Sequence, residues 1–376
     1  MKSLAIAFVC GCCILRAHAE LQPFQCETYV LDNGMRVVFL EKRDAPLVAL
    51  RVFVKNTGSV YEREYLGCGI SHYIEHLVAG GTTTRRSEAE ASRLIKKMGD
   101  EYNAYTTLDH TCYHIETTRA FLRDAAQLLT EFVKDCAFLT NEVEREKGVI
   151  TQEIRMGKES PERAHNELQS ELMHLVSPAR VPVIGYLDNF QRLTRDDVLK
   201  YHRERYVANN MVVVLVGDVT RDEARAVLDE TFGTVPRGPD TAIPLPPEPP
   251  VTAPRAGTRR FNVKQAHVSL SFPGVRQGAA DAAALDLLGR VLSDGESSIL
   301  ARSIKRDKQL VFSVWAGNWA PSFGPGAFEA GFTCDETNVS AAAGAVIAEL
   351  LSAAAGALTH EQVAKFSRKD AEALPE

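Results

Sequence analysis

The sequence predicts an α+β protein of two homologous domains, each a mixed β-sheet with helices packed on it. Three observations predict this class. Strand-like and helix-like segments alternate through residues 27–232, a proline-rich stretch follows, and a similar but shorter series of segments comes after it. The second series stops soon after residue 361, so we expect the second domain to be truncated at its C-terminus.

The first nineteen residues have the pattern of a secretory signal peptide. A basic start precedes an apolar stretch over 4–15, and residues 17–19 form a small-x-small cleavage site. We therefore expect residues 1–19 to be removed and the mature chain to be exported to a bacterial periplasm. Lipoprotein anchoring at Cys12 is the less favoured alternative, because the apolar stretch before it is very short.

The composition of the 376-residue chain excludes some classes of function. The net charge of −6 comes without a basic stripe, which argues against nucleic acid as a partner. We expect no membrane span in the mature chain, since no apolar run there is long enough. Five cysteines remain after the signal peptide, an odd number without a Cys-x-x-Cys pair, so a cysteine-based zinc site is disfavoured.

The first domain, residues 20–235, begins with three predicted strands. Two of them, at 28–31 and 35–40, flank an Asp-Asn-Gly turn signal, and the third covers 48–54. Glycines precede and follow the next helix, and a Ser-x-x-Glu capping box starts the helix that ends at Met98. The later segments are predicted as paired strands at 101–107 and 111–117, helices at 120–135, 141–157, 162–176, 196–206 and 221–232, and a buried strand at 211–217.

Residues 236–255 are predicted to be an extended linker, because eight prolines fall between positions 236 and 254. The companion domain then covers 256–376. Its predicted elements are strands at 266–272, 310–316 and 327–333 and helices at 281–293, 297–307 and 339–355.

The helix after the third strand contains His72-Tyr73-Ile74-Glu75-His76. Positions i, i+3 and i+4 of a helix share a face, so both imidazoles can reach one metal ion with the carboxylate beside it. We expect one Zn²⁺ per chain and a water that Glu75 activates as a base. The order is the inverse of the common His-Glu-x-x-His motif. By itself the pattern is equally typical of a helix with two surface histidines.

A catalytic zinc site needs a third protein ligand. The helix over 141–157 offers four glutamates, of which Glu146 and Glu153 lie seven residues apart and therefore on one face. One of them could bind the metal while the other supports the site. The alternative is a solvated acidic helix without a metal, which is what most glutamate-rich helices are.

Together these motifs resemble the pitrilysin/insulinase family of zinc peptidases, in its bacterial branch similar to mitochondrial processing peptidase. The resemblance rests on the inverted motif, on a glutamate seventy-seven residues after His76, and on several further blocks. These blocks are 103–107, 146–154, 209–219 and 285–300, so the likeness covers almost all of the mature chain.

The resemblance implies a role for each matched residue. His72, His76 and Glu153 would bind zinc, Glu75 would be the catalytic base with Glu146 as a second catalytic residue, and Asn103, Ala104 and Tyr105 would hold a peptide substrate as an added strand. The implied activity is that of an exported zinc metalloendopeptidase that cuts unfolded peptides or small polypeptides inside an enclosed chamber.

One departure from the family concerns the companion domain, which there supplies an arginine and a tyrosine seven residues apart. Lys305 and Phe312 occupy these positions here, and they lack the planar guanidinium and the hydroxyl donor. We therefore expect a heterodimer, in which a same-fold partner subunit supplies the Arg/Tyr pair. A second half missing from this chain could take the same role.

Two competing functions are open at this point. The chain could be a non-catalytic structural or assembly subunit that retains the peptidase fold, although the intact His72, Glu75, His76 and Glu153 speak against this. It could also be a small-molecule zinc lyase with the same pentapeptide. Such enzymes use a cysteine as third ligand on a shorter chain, and the two-domain pattern disfavours them.

Overall fold

The computed structural model describes residues 26–240 and 242–365, which form two compact units. The first unit comprises 26–250 and 255–259, and the second comprises 251–254 and 260–365. The expected signal peptide, residues 1–19, lies outside the described residues.

The first unit is built on a mixed six-stranded sheet in the order β1-β2-β6-β3-β5-β4. Its strands are β1 (Glu27–Val30), β2 (Arg36–Glu41), β3 (Leu47–Lys55), β4 (Tyr102–Thr106), β5 (His110–Thr118) and β6 (Met211–Gly217). Strands β2 and β6 are parallel, and all other neighbours are antiparallel. Buried residues alternate with partly exposed ones along β3, so one face of the sheet packs against the helices.

The predicted helices of this unit are present in their predicted order, and one short helix, Leu187–Phe190, was not predicted. The helices are α1 (Ile70–Val78), α2 (Glu88–Met98), α3 (Leu122–Asp135), α4 (Thr140–Lys158), α5 (Pro161–Met173), α6 (Leu187–Phe190), α7 (Arg195–Arg205) and α8 (Arg221–Glu230). The predicted capping box is present, since the Ser87 hydroxyl accepts from the Glu90 N–H and the Glu90 carboxylate accepts from the Ser87 N–H.

The start of α1 is fixed by its backbone and by a buried carboxylate. Gly69 precedes the helix in the left-handed conformation (φ 67°), and a Cβ there would lie 2.2 Å from the carbonyl oxygen of Ile184. The Ser71 N–H donates to Glu62 Oε1 at 3.0 Å, and the Ser71 hydroxyl lies 2.9 Å from that of Tyr201. These contacts hold the residue next to His72 in one position.

The second unit has a three-stranded antiparallel sheet in the order β7-β9-β8. Its elements are β7 (Ala266–Pro273), α9 (Ala282–Ser293), a π-helix (Ala301–Asp307), β8 (Ser313–Trp319), β9 (Ala327–Cys334) and α10 (Val339–Ala354). The α+β fold class is confirmed. Among the described strands, however, the expected mixed pairing is present in the first sheet only.

Two boundaries in the second unit differ from the prediction. The strand expected at 310–316 forms at 313–319, because the preceding residues complete the turn after the π-helix. Gln309 has a positive φ of 54°, and the Leu310 N–H donates to the Ile304 carbonyl at 3.1 Å. The helix expected from 297 begins at 299, and its residues 301–307 have π rather than α geometry.

The described residues of the proline-rich stretch, 236–240 and 242–255, have no regular secondary structure, and Glu248 ties the stretch to the first unit. The Glu248 carboxylate accepts hydrogen bonds from three successive backbone N–H groups, those of Leu175, Val176 and Ser177. Further along, Arg259 lies 2.8 Å from a carboxylate oxygen of Glu171 on α5. The contacts of Glu248 and Arg259 therefore hold this part of the chain against the first unit, so that it does not extend freely through solvent.

One helical stretch in the described part of the chain, Glu336–Ala354, has the length and the apolar composition that a membrane span requires. Ala342 and Val346 of this stretch are buried in the core of the second unit. This is also how a helix packed on a sheet buries one face. The absence of a membrane span in the mature chain stays a prediction.

We expect Glu62 to make the stability of the protein depend on pH. Burial raises the pKa of its carboxyl from 4.5 to about 7, although hydrogen bonds from Ser71 and Gly69 lower it. The folded state therefore binds the proton more tightly than the unfolded state. The resulting stabilisation is fully present below about pH 4.5 and is lost as the pH rises through about 7.

Glu62→Gln should reduce the fall in the free energy of unfolding between pH 5 and pH 8 by about 1–3 kcal/mol. The measurement is the free energy of unfolding from urea titrations at both pH values. The exposed neighbour Glu64, changed to Gln, is the matched control. An unchanged pH dependence in Glu62→Gln would contradict the assignment.

Candidate metal centre and active site

Two helices bring three potential metal ligands together. His72 and His76 lie one turn apart on α1, and Glu153 comes from α4. Glu153 Oε2 lies 3.9 Å from His72 Nε2 and 3.8 Å from His76 Nε2. One donor atom from each residue falls within a set whose members are all within 4.8 Å of one another. The structure thus brings together the three residues that the sequence predicted as ligands.

These residues fit a zinc ion. Tetrahedral ligands at ordinary zinc distances are about 3.3–3.5 Å apart, so small side-chain rotations close the observed separations. Zinc binds the neutral imidazole, and burial lowers the pKa of His72 to about 3, with smaller effects from His76 and Arg163. His72 is therefore held in the form that a metal needs.

Glu146 lies beside the other ring nitrogen of His76, with its Oε2 at 3.4 Å from Nδ1. Its second oxygen accepts a hydrogen bond from Arg145 Nε at 2.9 Å. A carboxylate on Nδ1 orients the imidazole and directs the Nε2 lone pair toward Glu153, as such groups do in zinc sites. The structure accordingly places Glu146 behind a ligand rather than on the metal.

His72 differs from His76 in this respect. Its Nδ1 is buried and has no hydrogen-bond partner within the described ranges 26–240 and 242–365. An unpaired buried nitrogen costs free energy, so the His72 imidazole lacks the kind of support that Glu146 gives His76.

Glu75 lies on the same face of α1 and is 9% exposed. Its Oε2 accepts a hydrogen bond from the Thr106 hydroxyl at 2.8 Å. Burial raises the pKa of the Glu75 carboxyl, while Thr106 and the nearby His76 lower it. A carboxyl with a raised pKa, held in one orientation beside a metal, is suited to accept and return a proton.

The sequence patterns assign no individual role to Thr106. Strand alternation was the available signal, since Ala104 and Thr106 lie on the same face of β4. The contact with Glu75 itself depends on how α1 packs across the sheet.

Strand β4 forms one edge of the first sheet, with β5 as its one neighbour among the described strands. Thr107 N–H donates to the His110 carbonyl, and the Glu101 carbonyl accepts from Glu116 N–H. The backbone N–H and carbonyl groups of the odd-numbered residues therefore point toward β5, and those of the even-numbered residues point away from the sheet. Ala104 presents its backbone groups at this edge, where its N–H donates to the Asn103 side chain. An extended peptide that displaces Asn103 Oδ1 could pair with both the N–H and the carbonyl of Ala104.

The neighbours of Ala104 are placed differently. Asn103 is exposed, and its Oδ1 accepts a hydrogen bond from the Ala104 N–H at 2.8 Å. Tyr105 lies on the opposite face of β4 from Thr106, with its ring centroid 5.8 Å from that of His110. The Tyr105 side chain therefore points away from Glu75, and substrate binding through it stays a prediction.

Lys305 and Phe312 occupy the positions at which the family has an arginine and a tyrosine. Lys305 Nζ lies 2.8 Å from Glu296 Oε1, and Phe312 is half-exposed. Neither residue replaces the donor pattern of an Arg/Tyr pair.

Comparison with known proteins identifies the family. Residues 36–179 match the family model described as Insulinase (Peptidase family M16), and residues 192–367 match the one described as Peptidase M16 inactive domain. The chain belongs to the insulinase family, M16. The first match contains all three candidate ligands, and the second contains Lys305 and Phe312.

Individual curated proteins are similar to this chain over most of its length. An uncharacterized zinc protease of Bacillus subtilis, YmxG, is 27% identical over 289 residues, which are 77% of this chain and 69% of that protein. Subunit 1 of the human mitochondrial cytochrome b-c1 complex is 27% identical over 277 residues, 73% of this chain and 57% of the subunit. The chain thus spans about two thirds or less of the length of its curated relatives.

The fold is also that of solved M16 structures. The crystal structure of a protease from Helicobacter pylori superposes with a TM-score of 0.86 at 25% identity. The match covers 93% of this chain and 84% of that chain.

We expect Glu146→Gln to weaken zinc binding about 10- to 100-fold, because an amide supports the His76 imidazole less well than a carboxylate. The dissociation constant can be measured by competition with a chromophoric chelator. Glu144→Gln is the control, since Glu144 is exposed on the same helix. Equal affinities for both variants and wild type would show that Glu146 does not support the metal site.

Proposed function

We propose that the protein is a zinc metalloendopeptidase that hydrolyses unfolded peptides or small polypeptides, with Glu75 as its base. One observation carries this proposal. The donor atoms of His72, His76 and Glu153 converge within 4.8 Å, and Glu75 is held beside them by a residue of the free edge strand. The names of zinc-protease relatives in the same family support the reaction type.

Different residues of the chain have different roles in peptide hydrolysis. When bound, Zn²⁺ supplies Lewis-acid polarisation and lowers the pKa of water. Glu75 accepts the proton of the attacking water and returns it to the leaving amine. The edge of β4 at Ala104 binds the substrate backbone as an added strand, so that the scissile carbonyl lies near the metal ligands.

Three finer features are part of the proposal. The pattern of residues 1–19 supports export to a bacterial periplasm. Membership of the M16 family supports cleavage within an enclosed chamber. The lysine at 305 and the phenylalanine at 312 support completion of the site by a same-fold subunit with an arginine and a tyrosine at the corresponding positions.

Glu75→Gln should lower kcat on a quenched fluorescent peptide at least 100-fold, because an amide cannot accept the proton. Its zinc content should remain that of the wild type, since the three ligands are intact. The control is Glu144→Gln, which should cleave like the wild type. Cleavage by Glu75→Gln within threefold of wild type would rule out Glu75 as the base.

The role of a partner can be tested with wild-type protein. We expect the isolated chain to cleave slowly and the rate to rise about 100-fold when a same-fold subunit with the Arg/Tyr pair is added, since an oxyanion donor contributes roughly 3–4 kcal/mol. Changing that tyrosine to phenylalanine in the partner is the matched control. Full activity of the chain alone would refute the partner requirement.

A second candidate is a non-catalytic structural or assembly subunit. It is favoured by the replacements at 305 and 312 and by the similarity to a cytochrome b-c1 subunit, whose name describes no protease. Bound zinc without cleavage under any partner condition would favour this candidate over the peptidase.

A further inference from the structure

A pocket of about 530 Å³ opens next to the metal ligands within the first unit. His72 and Glu153 form part of its wall, and Thr106 contributes from the edge strand. The opposite wall comes from α5 and from residues 179–184. A peptide lying along β4 with its scissile bond at the metal ligands would place a neighbouring side chain in this space.

Arg163 lines this pocket beside the third candidate ligand, Glu153. Its Nη1 donates to the Glu153 carbonyl oxygen at 3.5 Å, and a Cβ at position 157 would lie 1.9 Å from the same nitrogen. Gly157 thus leaves room for the guanidinium to cross α4 beside the third ligand. Within the part of the chain that the structure describes, Arg163 forms no ion pair with a carboxylate.

The remaining charges of the pocket do not offset Arg163. Glu167 Oε2 lies 3.4 Å from Arg259 Nη1, so its ion pair is with Arg259 and not with Arg163. Glu162 and Arg180 are both exposed and of opposite sign. Glu153 is assigned to the metal. A partly buried arginine without a carboxylate partner favours an anionic ligand, and its fork of donors matches a carboxylate.

We propose that this pocket is a specificity subsite that receives an acidic side chain of the peptide substrate, with Arg163 as its counter-ion. This rests on the proposed peptidase function and narrows its substrate class. An aspartate or glutamate close to the scissile bond would form a bidentate pair with Arg163, whereas a lysine there would be repelled.

The test uses quenched peptides in which one position at a time is Glu, Gln or Lys. The varied positions are the two before and the two after the cleaved bond. At one position, wild-type kcat/KM should be about 10-fold higher for Glu than for Gln and lowest for Lys. Arg163→Gln should abolish the preference, Arg163→Lys should keep part of it, and Arg163→Glu should favour Lys. The exposed Arg93, changed to Gln, is the control for a general loss of positive charge.

Binding of the same peptides to zinc-loaded Glu75→Gln protein, followed by fluorescence anisotropy, separates the subsite from the chemistry. Tighter binding of the Glu peptide supports the subsite even if wild-type protein cleaves none of the peptides. Missing cleavage would count against the proposed peptidase function and not against the subsite. Equal binding of the Glu and Gln peptides, or a preference that persists in Arg163→Gln, would overturn the subsite.

Discussion

The site depends on the packing of α1 against α4, because each helix supplies what the other lacks. Helix α1 carries both imidazoles and the base, and α4 carries the third ligand and the carboxylate behind His76. The fully buried Tyr73 fixes this contact, since its hydroxyl donates to the Val143 carbonyl at 2.5 Å. A shift of α4 by one residue would rotate Glu153 by about 100° away from the imidazoles. The helix contact therefore sets the metal geometry.

The second constraint is electrostatic. Five ionisable side chains meet at the site, and three of them, Glu75, Glu146 and Glu153, are carboxylates. Glu146 is ion-paired to Arg145 at 2.9 Å, and Glu75 is hydrogen-bonded to Thr106. These two carboxylates thus have partners of their own, which limits their repulsion of Glu153, the carboxylate that faces the two imidazoles. Binding of Zn²⁺ adds the positive charge that this cluster lacks, and so couples folding of the site to the metal.

Local periodicity predicts which side chains share a helix face, and the resemblance to the peptidase family selects Glu153 over Glu146 as the third ligand. The i, i+3, i+4 spacing on α1 and the seven-residue spacing on α4 determine which side chains share a helix face, and the capping box at Ser87 is equally local. The bond from Thr106 to Glu75 and the position of Arg163 depend on packing between distant segments, which spacing does not encode. The misplaced strand at 310–316 has a local cause. The apolar residues at its start suit a strand, but Leu310 belongs to the turn after the π-helix, and the strand begins at Ser313.

X-ray absorption spectroscopy of the zinc-loaded protein is the most direct test of the central claim, that two imidazoles and one carboxylate form the metal site. We predict that the atoms bound to zinc are nitrogen and oxygen only. The multiple scattering should correspond to two imidazoles in the wild type and to one in His76→Ala. A sulfur atom in the first shell, or an unchanged spectrum in His76→Ala, would contradict it.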